Sequence, residues 1–250
     1  MNTNPNTLKF ITAVLLLIGL SSPCIHAQTE TEEPEILPRN IEALIISDKR
    51  PPDFYYQNLE EEFTPFRIGF QRAGGINPVP ATRTLKLFKQ LTSESEELPA
   101  TYEPVVELDL PPGTDPLLLV FYLNKERKTQ YRFLDAGPEA FGAMEVQLIN
   151  LSDSLKVIAL LDEKRFDLEP KKEVRTAVNV TQNKRFSFRY GSVQPSGNLY
   201  ESPETRLRIP FENMRLRIFF APVQRIVQTE NGPQAEMVLR DARVFERVQP

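Results

Sequence analysis

The chain has 250 residues and a formal net charge of −4, and it contains one His, one Cys and no Trp. This length suffices for one large or two ordinary domains with a sizeable core. Because His26 and Cys24 both lie in the first 27 residues, a chain that loses this segment has neither imidazole nor thiolate. Cysteine nucleophiles, Ser-His-Asp triads and zinc or copper sites built on those ligands are then excluded. The negative net charge argues against a nucleic-acid partner.

Residues 1–27 have the order of a secretory signal peptide. Lys9 precedes an apolar run, Phe10 to Leu20, and a short polar stretch ends at Ala27, which is the pattern of an export signal. The apolar run is shorter than the about 20 residues of a membrane helix. We therefore predict cleavage after Ala27, no transmembrane segment afterwards, and export to the periplasm or the cell surface. The alternative is a lipid anchor on Cys24, although the residues before it do not resemble a lipoprotein motif.

Residues 28–40 are predicted to be an acidic, disordered tether. The stretch Thr29–Pro38 (TETEEPEILP) contains proline and few apolar residues, a composition typical of solvated segments. Gln28–Glu62 contains 3 basic and 10 acidic residues, whereas Lys164–Pro250 contains 16 basic and 10 acidic residues. The charge is therefore segregated along the chain, acidic at the start and basic at the end.

After the tether, short apolar-alternating runs are separated by Pro, Gly, Asn and Asp, which predicts an all-β fold. The predicted strands are 41–47, 66–70, 84–90, 105–110, 117–123, 129–134, 144–150, 155–161, 173–180, 185–190, 206–209, 214–220, 223–229 and 236–245. Single helical turns are predicted at 58–63 and at 138–141, where Pro138 suits a first helical position.

Three local patterns are the most informative. Every residue of Leu117–Leu123 (LLLVFYL) is apolar, as in a strand covered on both faces. Asn231 and Gly232 separate two apolar-rich runs between Val223 and Phe245, which favours a tight hairpin turn. Residues 144–161 (MEVQLINLSDSLKVIALL) read as two consecutive strands whose role is burial, continued by a corner at 166–170.

The strand count and the spacing of the turns predict two tandem antiparallel β-sandwich modules. We place the first module at 41–128 and the second at 129–250. The boundary falls within the charged segment 124–130 (NKERKTQ) or just after Asp135. A single extended sandwich is the alternative.

Three stretches resemble uncharacterised exported bacterial proteins with immunoglobulin-like β-sandwich domains. They are 111–122 (PPGTDPLLLVFY), 133–162 (FLDAGPEAFGAMEVQLINLSDSLKVIALLD) and 166–178 (FDLEPKKEVRTAV). The resemblance implies an immunoglobulin-like fold and an exported location. It implies no activity and no catalytic or ligand residues.

Alternating arginines mark a candidate binding surface in RLRIPFENMRLRIFF. Arg206 and Arg208 share one face of a predicted strand, and Arg215 and Arg217 share one face of the next. If the two strands pair, four guanidinium groups form a basic strip for an anionic glycan, an envelope polymer or an acidic peptide. The alternative is an ordinary solvated sheet face balanced by nearby glutamates.

Tyr55 and Tyr56 are the candidate ligand-binding aromatic residues, because Pro51, Pro52 and Asp53 place them in an exposed N-terminal loop. Aromatic side chains in such a loop suit a carbohydrate. The alternating Phe186, Phe188 and Tyr190 are instead expected in the core.

Catalysis without His or Cys would require carboxylates, as in two-carboxylate glycosidases. The candidates are Glu201, Glu204, Glu212, Asp162 and Glu163. Calcium would need loop oxygens such as those of Asp109, Asp115, Ser152 and Asp153, which match no known loop spacing. We therefore expect no metal, no cofactor and no enzymatic activity.

The sequence thus predicts an exported interaction or structural protein whose partner is a protein or an anionic envelope polymer. The alternatives are a carbohydrate-binding module and, third, a carboxylate glycosidase.

Overall fold

The computed structural model describes residues 37–91, 100–178, 185–193, 199–229 and 232–248. The predicted leader and the tether as far as residue 36 lie outside these residues. The described chain is built almost entirely of strands with one 3₁₀ turn at Pro138–Ala140, which confirms the predicted all-β class and the helical turn at 138–141.

The strands follow one another with short connections. In chain order they are β1 (Pro38–Ile46), β2 (Phe54–Gln57), β3 (Phe63–Phe66), β4 (Ile68–Phe70), β5 (Ile76–Pro80), β6 (Thr84–Leu91), β7 (Thr101–Asp109), β8 (Leu117–Leu123), β9 (Thr129–Asp135), β10 (Glu145–Asn150), β11 (Lys156–Leu161), β12 (Lys164–Leu168), β13 (Glu173–Ala177), β14 (Arg185–Val193), β15 (Leu199–Glu201), β16 (Thr205–Arg208), β17 (Met214–Thr229) and β18 (Gly232–Arg247).

These strands form four sheets within the described residues. Sheet 1 has the order β3-β2-β6-β7, and sheet 2 has the order β4-β1-β8-β9 with β5 also paired to β1. Sheet 3 has the order β13-β10-β17-β18, and sheet 4 has the order β12-β11-β14-β15 with β16 also paired to β14. Most pairs are antiparallel, but β1 is parallel to β4 and β8, and β10 is parallel to β17.

The sheets are stacked in the order 1, 2, 3, 4, because three buried apolar clusters separate them. The first cluster combines residues of sheets 1 and 2, such as Leu87 and Leu119. The second combines sheets 2 and 3, such as Val120 and Phe219, and the third combines sheets 3 and 4, such as Phe188 and Ile218. Sheets 2 and 3 are therefore covered on both faces.

Strand β8 shows why its sequence is wholly apolar. All residues from Leu117 to Tyr122 are buried; Leu117, Leu119 and Phe121 face sheet 1, and the residues between them face sheet 3. Successive side chains of a strand point to opposite faces, so a strand between two cores needs apolar residues at every position. The predicted central position of Leu117–Leu123 is confirmed.

The stretch 144–161 forms two strands as predicted, and they lie in facing sheets. β10 belongs to sheet 3 and β11 to sheet 4. Asn150 fixes the crossing between them: its buried Nδ2 donates to the carbonyls of Leu155, Leu168 and Glu169 at 2.8–3.1 Å. A polar side chain is retained there because those buried carbonyls need a donor.

The hairpin predicted between Val223 and Phe245 is confirmed. β17 and β18 pair from Met214↔Arg247 to Thr229↔Gly232, and Gly232 has a positive φ of 97°. The two strands predicted at 214–220 and 223–229 are one continuous strand, because Pro222 lies within the pairing without ending it. The turn residues Glu230 and Asn231 lie outside the described residues.

Several boundaries differ from the sequence prediction. Residues 38–40, predicted as tether, are the start of β1 and pair with β5. Residues 58–62 form a turn in which the Asn58 side chain accepts two backbone hydrogen bonds, so the helical turn predicted at 58–63 was wrong. Residues 164–168 form a strand that overlaps the corner predicted at 166–170. Strands β2, β3, β5 and β15 were not predicted, since they are short and carry little alternation.

The predicted boundary between residues 128 and 129 falls in the turn of the β8–β9 hairpin. β9 pairs with β8 along its whole length and therefore belongs to sheet 2. The change from sheet 2 to sheet 3 occurs in residues 136–144. The described residues all belong to one compact unit, Ile36–Pro250.

Candidate functional site

The structure does not bring the four predicted arginines together. Arg206 and Arg208 lie on β16, which pairs with β14 in sheet 4, whereas Arg215 and Arg217 lie on β17 in sheet 3. The first pair is exposed, but Arg215 and Arg217 are 0% and 2% exposed. The basic strip therefore does not form, because its two strands belong to different sheets.

Arg215 holds the segment that connects sheet 2 to sheet 3. Its guanidinium donates to the carbonyls of Ala136, Gly137, Pro138 and Phe141 at 2.8–3.3 Å. These carbonyls lie in a segment without regular pairing, so they need donors from side chains. One arginine with its several donors satisfies them together.

Glu246 forms ion pairs with both buried arginines. Its Oε2 atom lies 2.7 Å from Arg215 Nε, and its Oε1 atom lies 3.0 Å from Arg217 Nη1. The second contact is an ion pair whose atoms are not aligned for a hydrogen bond. Arg217 Nε also donates to Gln147 Oε1 at 3.0 Å. We call Arg215, Arg217 and Glu246 the arginine clasp.

The clasp is a structural element. Burial lowers the pKa of Arg217 to about 10, against the attraction of Glu246, so the group stays charged at neutral pH. The Phe141 ring lies under both guanidinium groups, with Cζ atoms 4.5 and 5.0 Å from its centroid, a favourable cation–π arrangement. Because both guanidinium groups are buried and paired with Glu246, they are not accessible to a ligand.

Tyr56 is also a structural residue. It is 1% exposed, it belongs to the core between sheets 1 and 2, and its hydroxyl donates to the Pro78 carbonyl at 3.1 Å. Burial raises the pKa of this phenol, while nearby Arg67 opposes the rise. The prediction that Tyr56 lies in an exposed loop was wrong, because residues 54–57 form β2 and alternate residues of a strand point inward.

Tyr55 points to the opposite face of β2 and is half-buried. Its ring packs edge-on against Tyr102 with centroids 5.1 Å apart, and Tyr102 stacks on Phe63 at 4.0 Å and 12°. The rings of Tyr102 and Phe63 cover one another, so their faces are not free to form a flat sugar platform. Tyr55 itself also lines a neighbouring cleft.

A cleft with a volume of about 1030 Å³ opens where the edges of sheets 1 and 2 separate. Phe54, Ile68 and Phe70 provide an apolar floor, continued inward by buried Phe66. The rim carries three exposed arginines and one exposed aspartate. They are Arg50, Arg67, Arg72 and Asp53. We call this feature the arginine-rimmed cleft.

A tight glycine turn forms one wall of the cleft. A side chain on Gly69 would meet the Arg72 carbonyl oxygen at 2.0 Å, and one on Gly74 would meet the Arg67 carbonyl oxygen at 2.7 Å. Buried Asn77 braces the turn: its Oδ1 accepts from the Arg67 amide at 2.7 Å, and its Nδ2 donates to the Ile41 and Arg67 carbonyls. Only glycine permits such close backbone approach.

Within the part of the chain that the structure describes, the side chains of the rim arginines Arg50, Arg67 and Arg72 make neither an ion pair nor a hydrogen bond. They contrast with Arg215, whose guanidinium donates to Glu246 and to four carbonyls. The three rim arginines were not predicted from the sequence because they lie between strands and follow no strand alternation. In the sequence, only the short distance from Arg72 to Gly74 and Gly75 indicates an arginine beside a tight turn.

The other candidates are separated or engaged. Glu201 is exposed on β15 and Glu204 is exposed before β16, while Asp162 Oδ1 accepts from the Ser187 amide at 2.8 Å in the β11–β12 turn. Asp153 pairs with Lys171 at 2.8 Å. Among the described residues no three His, Cys, Asp or Glu side chains lie close enough to hold a metal ion.

Comparison with models of known protein families and with curated proteins finds no match. Within the described ranges, no helix has the length and apolar character to span a membrane.

Proposed function

We propose that this chain is an exported, non-enzymatic interaction protein built of two sandwich modules, and that the arginine-rimmed cleft binds an anionic partner. The observation that carries the proposal is the presence of three exposed arginines, without carboxylate partners in the described chain, around one apolar cleft. An arginine that the fold leaves unpaired is available for two-pronged hydrogen bonding to a carboxylate.

The floor of the cleft favours an acidic protein segment over a strongly hydrated polymer. The floor residues are half-buried: Phe54, Ile68 and Phe70. Their remaining exposed apolar surface is removed from water only by a ligand that also carries apolar groups. Burial of apolar surface contributes about 25 cal/mol of favourable free energy per Å². A peptide that alternates acidic and apolar side chains can therefore pair with the rim arginines and pack its apolar groups on the floor. The volume is at the upper end of the range for small-molecule sites.

The exported location is supported by the charged, apolar and polar order of residues 1–27. Mass spectrometry of protein recovered from the host's extracytoplasmic fraction tests it directly. We expect a mature N-terminus at Gln28, and recovery of only the uncut chain in the cytoplasm would contradict export.

The binding proposal is tested with a fluorescent peptide in which Glu alternates with Leu and Phe. Fluorescence anisotropy gives its affinity for the wild-type chain and for the double variant Arg50→Gln/Arg72→Gln. Each exposed charge contact is worth up to about 1 kcal/mol, so we expect roughly a tenfold loss of affinity. The affinity should also fall with added salt, because the rim is exposed.

The matched control is Arg206→Gln/Arg208→Gln, which removes the same charge from exposed strand positions outside the cleft. This control should bind the peptide like the wild type. Unchanged binding by the cleft variant, or an equal loss in both double variants, would refute the cleft as the site. Polyglutamate and heparin serve as comparison ligands, and tighter binding of heparin than of the peptide would contradict the protein partner.

A further inference from the structure

A second cavity opens at the edge where sheets 3 and 4 separate, beside the core that they share. Its volume is about 390 Å³, which is within the size range of small-ligand sites. The side chains relevant to binding come from both sheets. They are Tyr190, Tyr200, Thr205, Gln224, Asp241 and Arg243.

The charged groups of this cavity are fixed and neutralise each other. Leu239 belongs to the core between sheets 3 and 4, and Asp241 and Arg243 follow at two-residue steps, so they share its face of β18. Arg243 Nε lies 2.6 Å from Asp241 Oδ2, and its Nη2 atom donates to Thr205 Oγ1 at 3.3 Å. These contacts fix the orientation of the remaining guanidinium N–H donors of Arg243 and of the remaining carboxylate lone pairs of Asp241.

The other two arginines that border the cavity do not direct charge into it. Arg240 Nη1 donates to the Ser47 carbonyl at 3.4 Å, on the side of sheet 2. Arg225 follows Gln224 on β17, so their side chains point to opposite faces of the strand. The charges that face the cavity therefore do not favour an anionic ligand.

Two tyrosines supply an aromatic wall. Tyr190 is buried against Phe220, with centroids 5.1 Å apart, and its hydroxyl donates to the Leu239 carbonyl at 3.3 Å. Tyr200 lies 6.5 Å from Tyr190 by ring centroids and is half-buried at the cavity edge. Its ring is thus partly open to a ligand.

We propose that this cavity binds one residue of a neutral carbohydrate. The carboxylate of Asp241 accepts hydrogen bonds, the guanidinium of Arg243 donates them, and the amide of Gln224 does both. Neighbouring sugar hydroxyls require this mixture, while the C–H face of a pyranose packs against an aromatic ring. The site is separate from the arginine-rimmed cleft and does not depend on the function proposed for it.

Saturation-transfer NMR with methyl glycosides of glucose, galactose, mannose and N-acetylglucosamine tests the proposal on the full mature chain. We expect saturation transfer to at least one glycoside at millimolar concentration. Tyr200→Ala and Gln224→Ala should each weaken that binding several-fold, and Asp241→Asn should weaken it at least about tenfold, since hydrogen bonds to charged groups are worth about 1.5–3 kcal/mol. Tyr131→Ala is the matched control, because Tyr131 is a partly exposed tyrosine of β9 outside the cavity.

Circular dichroism of each variant shows whether the fold is kept. Tyr200 and Gln224 are only half-buried, so their variants remain informative if Asp241→Asn does not fold. Absence of binding by all four glycosides, or equal binding by the wild type, Tyr200→Ala and Gln224→Ala, would overturn the proposal. Loss of glycoside binding in Arg50→Gln/Arg72→Gln instead would place the sugar in the cleft and would also overturn it.

Discussion

Glu246→Gln is the sharpest perturbation of the arginine clasp. The substitution keeps the size of the side chain but removes the negative charge that pairs with Arg215 and Arg217, which are 0% and 2% exposed. Because no cavity is created, the cost is electrostatic. Removal of one partner of a buried ion pair typically costs about 3–5 kcal/mol. We expect the lower end, about 3 kcal/mol, because the Gln oxygen can still accept from Arg215 Nε.

Urea unfolding followed by circular dichroism measures this loss, and thermal unfolding gives a second estimate. For a domain of this size each kcal/mol lowers Tm by about 2–4 °C, so Tm should fall by about 6–12 °C. The control is Glu107→Gln, which breaks the exposed 3.1 Å pair with Lys86 and should cost less than about 1 kcal/mol. Equal effects of the two substitutions would show that the clasp does not hold sheet 3 to the connecting segment.

The pKa of Glu42 is raised by burial and then by the Glu246 carboxylate, so its ionisation opposes folding above that pKa. Glu42→Gln should therefore raise Tm at pH 7 and leave it unchanged near pH 4, and a pH-independent change would contradict this. Phe219 is fully buried between sheets 2 and 3, so Phe219→Ala should cost about 3–5 kcal/mol. Its urea transition should remain single, whereas two separate transitions would show that the halves unfold independently. Gly69→Ala should displace the turn that walls the arginine-rimmed cleft, because the added carbon would lie 2.0 Å from the Arg72 carbonyl oxygen. Peptide binding should then weaken at least as much as in Arg50→Gln/Arg72→Gln, and wild-type affinity would refute the role of the turn.

The parts of the fold that depend on local alternation were predictable from the sequence. Leu117–Leu123 reads as a doubly covered strand because each residue must suit one of two cores, and Asn231-Gly232 identifies the hairpin because few residues accept its turn geometry. Short strands such as β5 and β15 escape such reasoning, since their pairing is decided by distant partners.

The candidate site was less predictable, because it depends on which strands become neighbours. The pattern of Arg215 and Arg217 correctly shows that they share a face of a strand, but it does not show that sheet 2 covers that face. Tyr55 and Tyr56 are adjacent in sequence and point to opposite faces, so Tyr56 enters the core between sheets 1 and 2 while Tyr55 packs against Tyr102. Arg50, Arg67 and Arg72 line one cleft together with the glycine turn at 69–75, which no periodicity marks.

Hydrogen–deuterium exchange of the mature chain, with and without the Glu-, Leu- and Phe-containing peptide, tests the central claim most directly. The cleft predicts slower exchange in 50–55 and 65–75 on addition of the peptide, and no such change in Arg50→Gln/Arg72→Gln. Bound peptide that leaves both segments unprotected, or that protects 205–208 instead, would contradict the account.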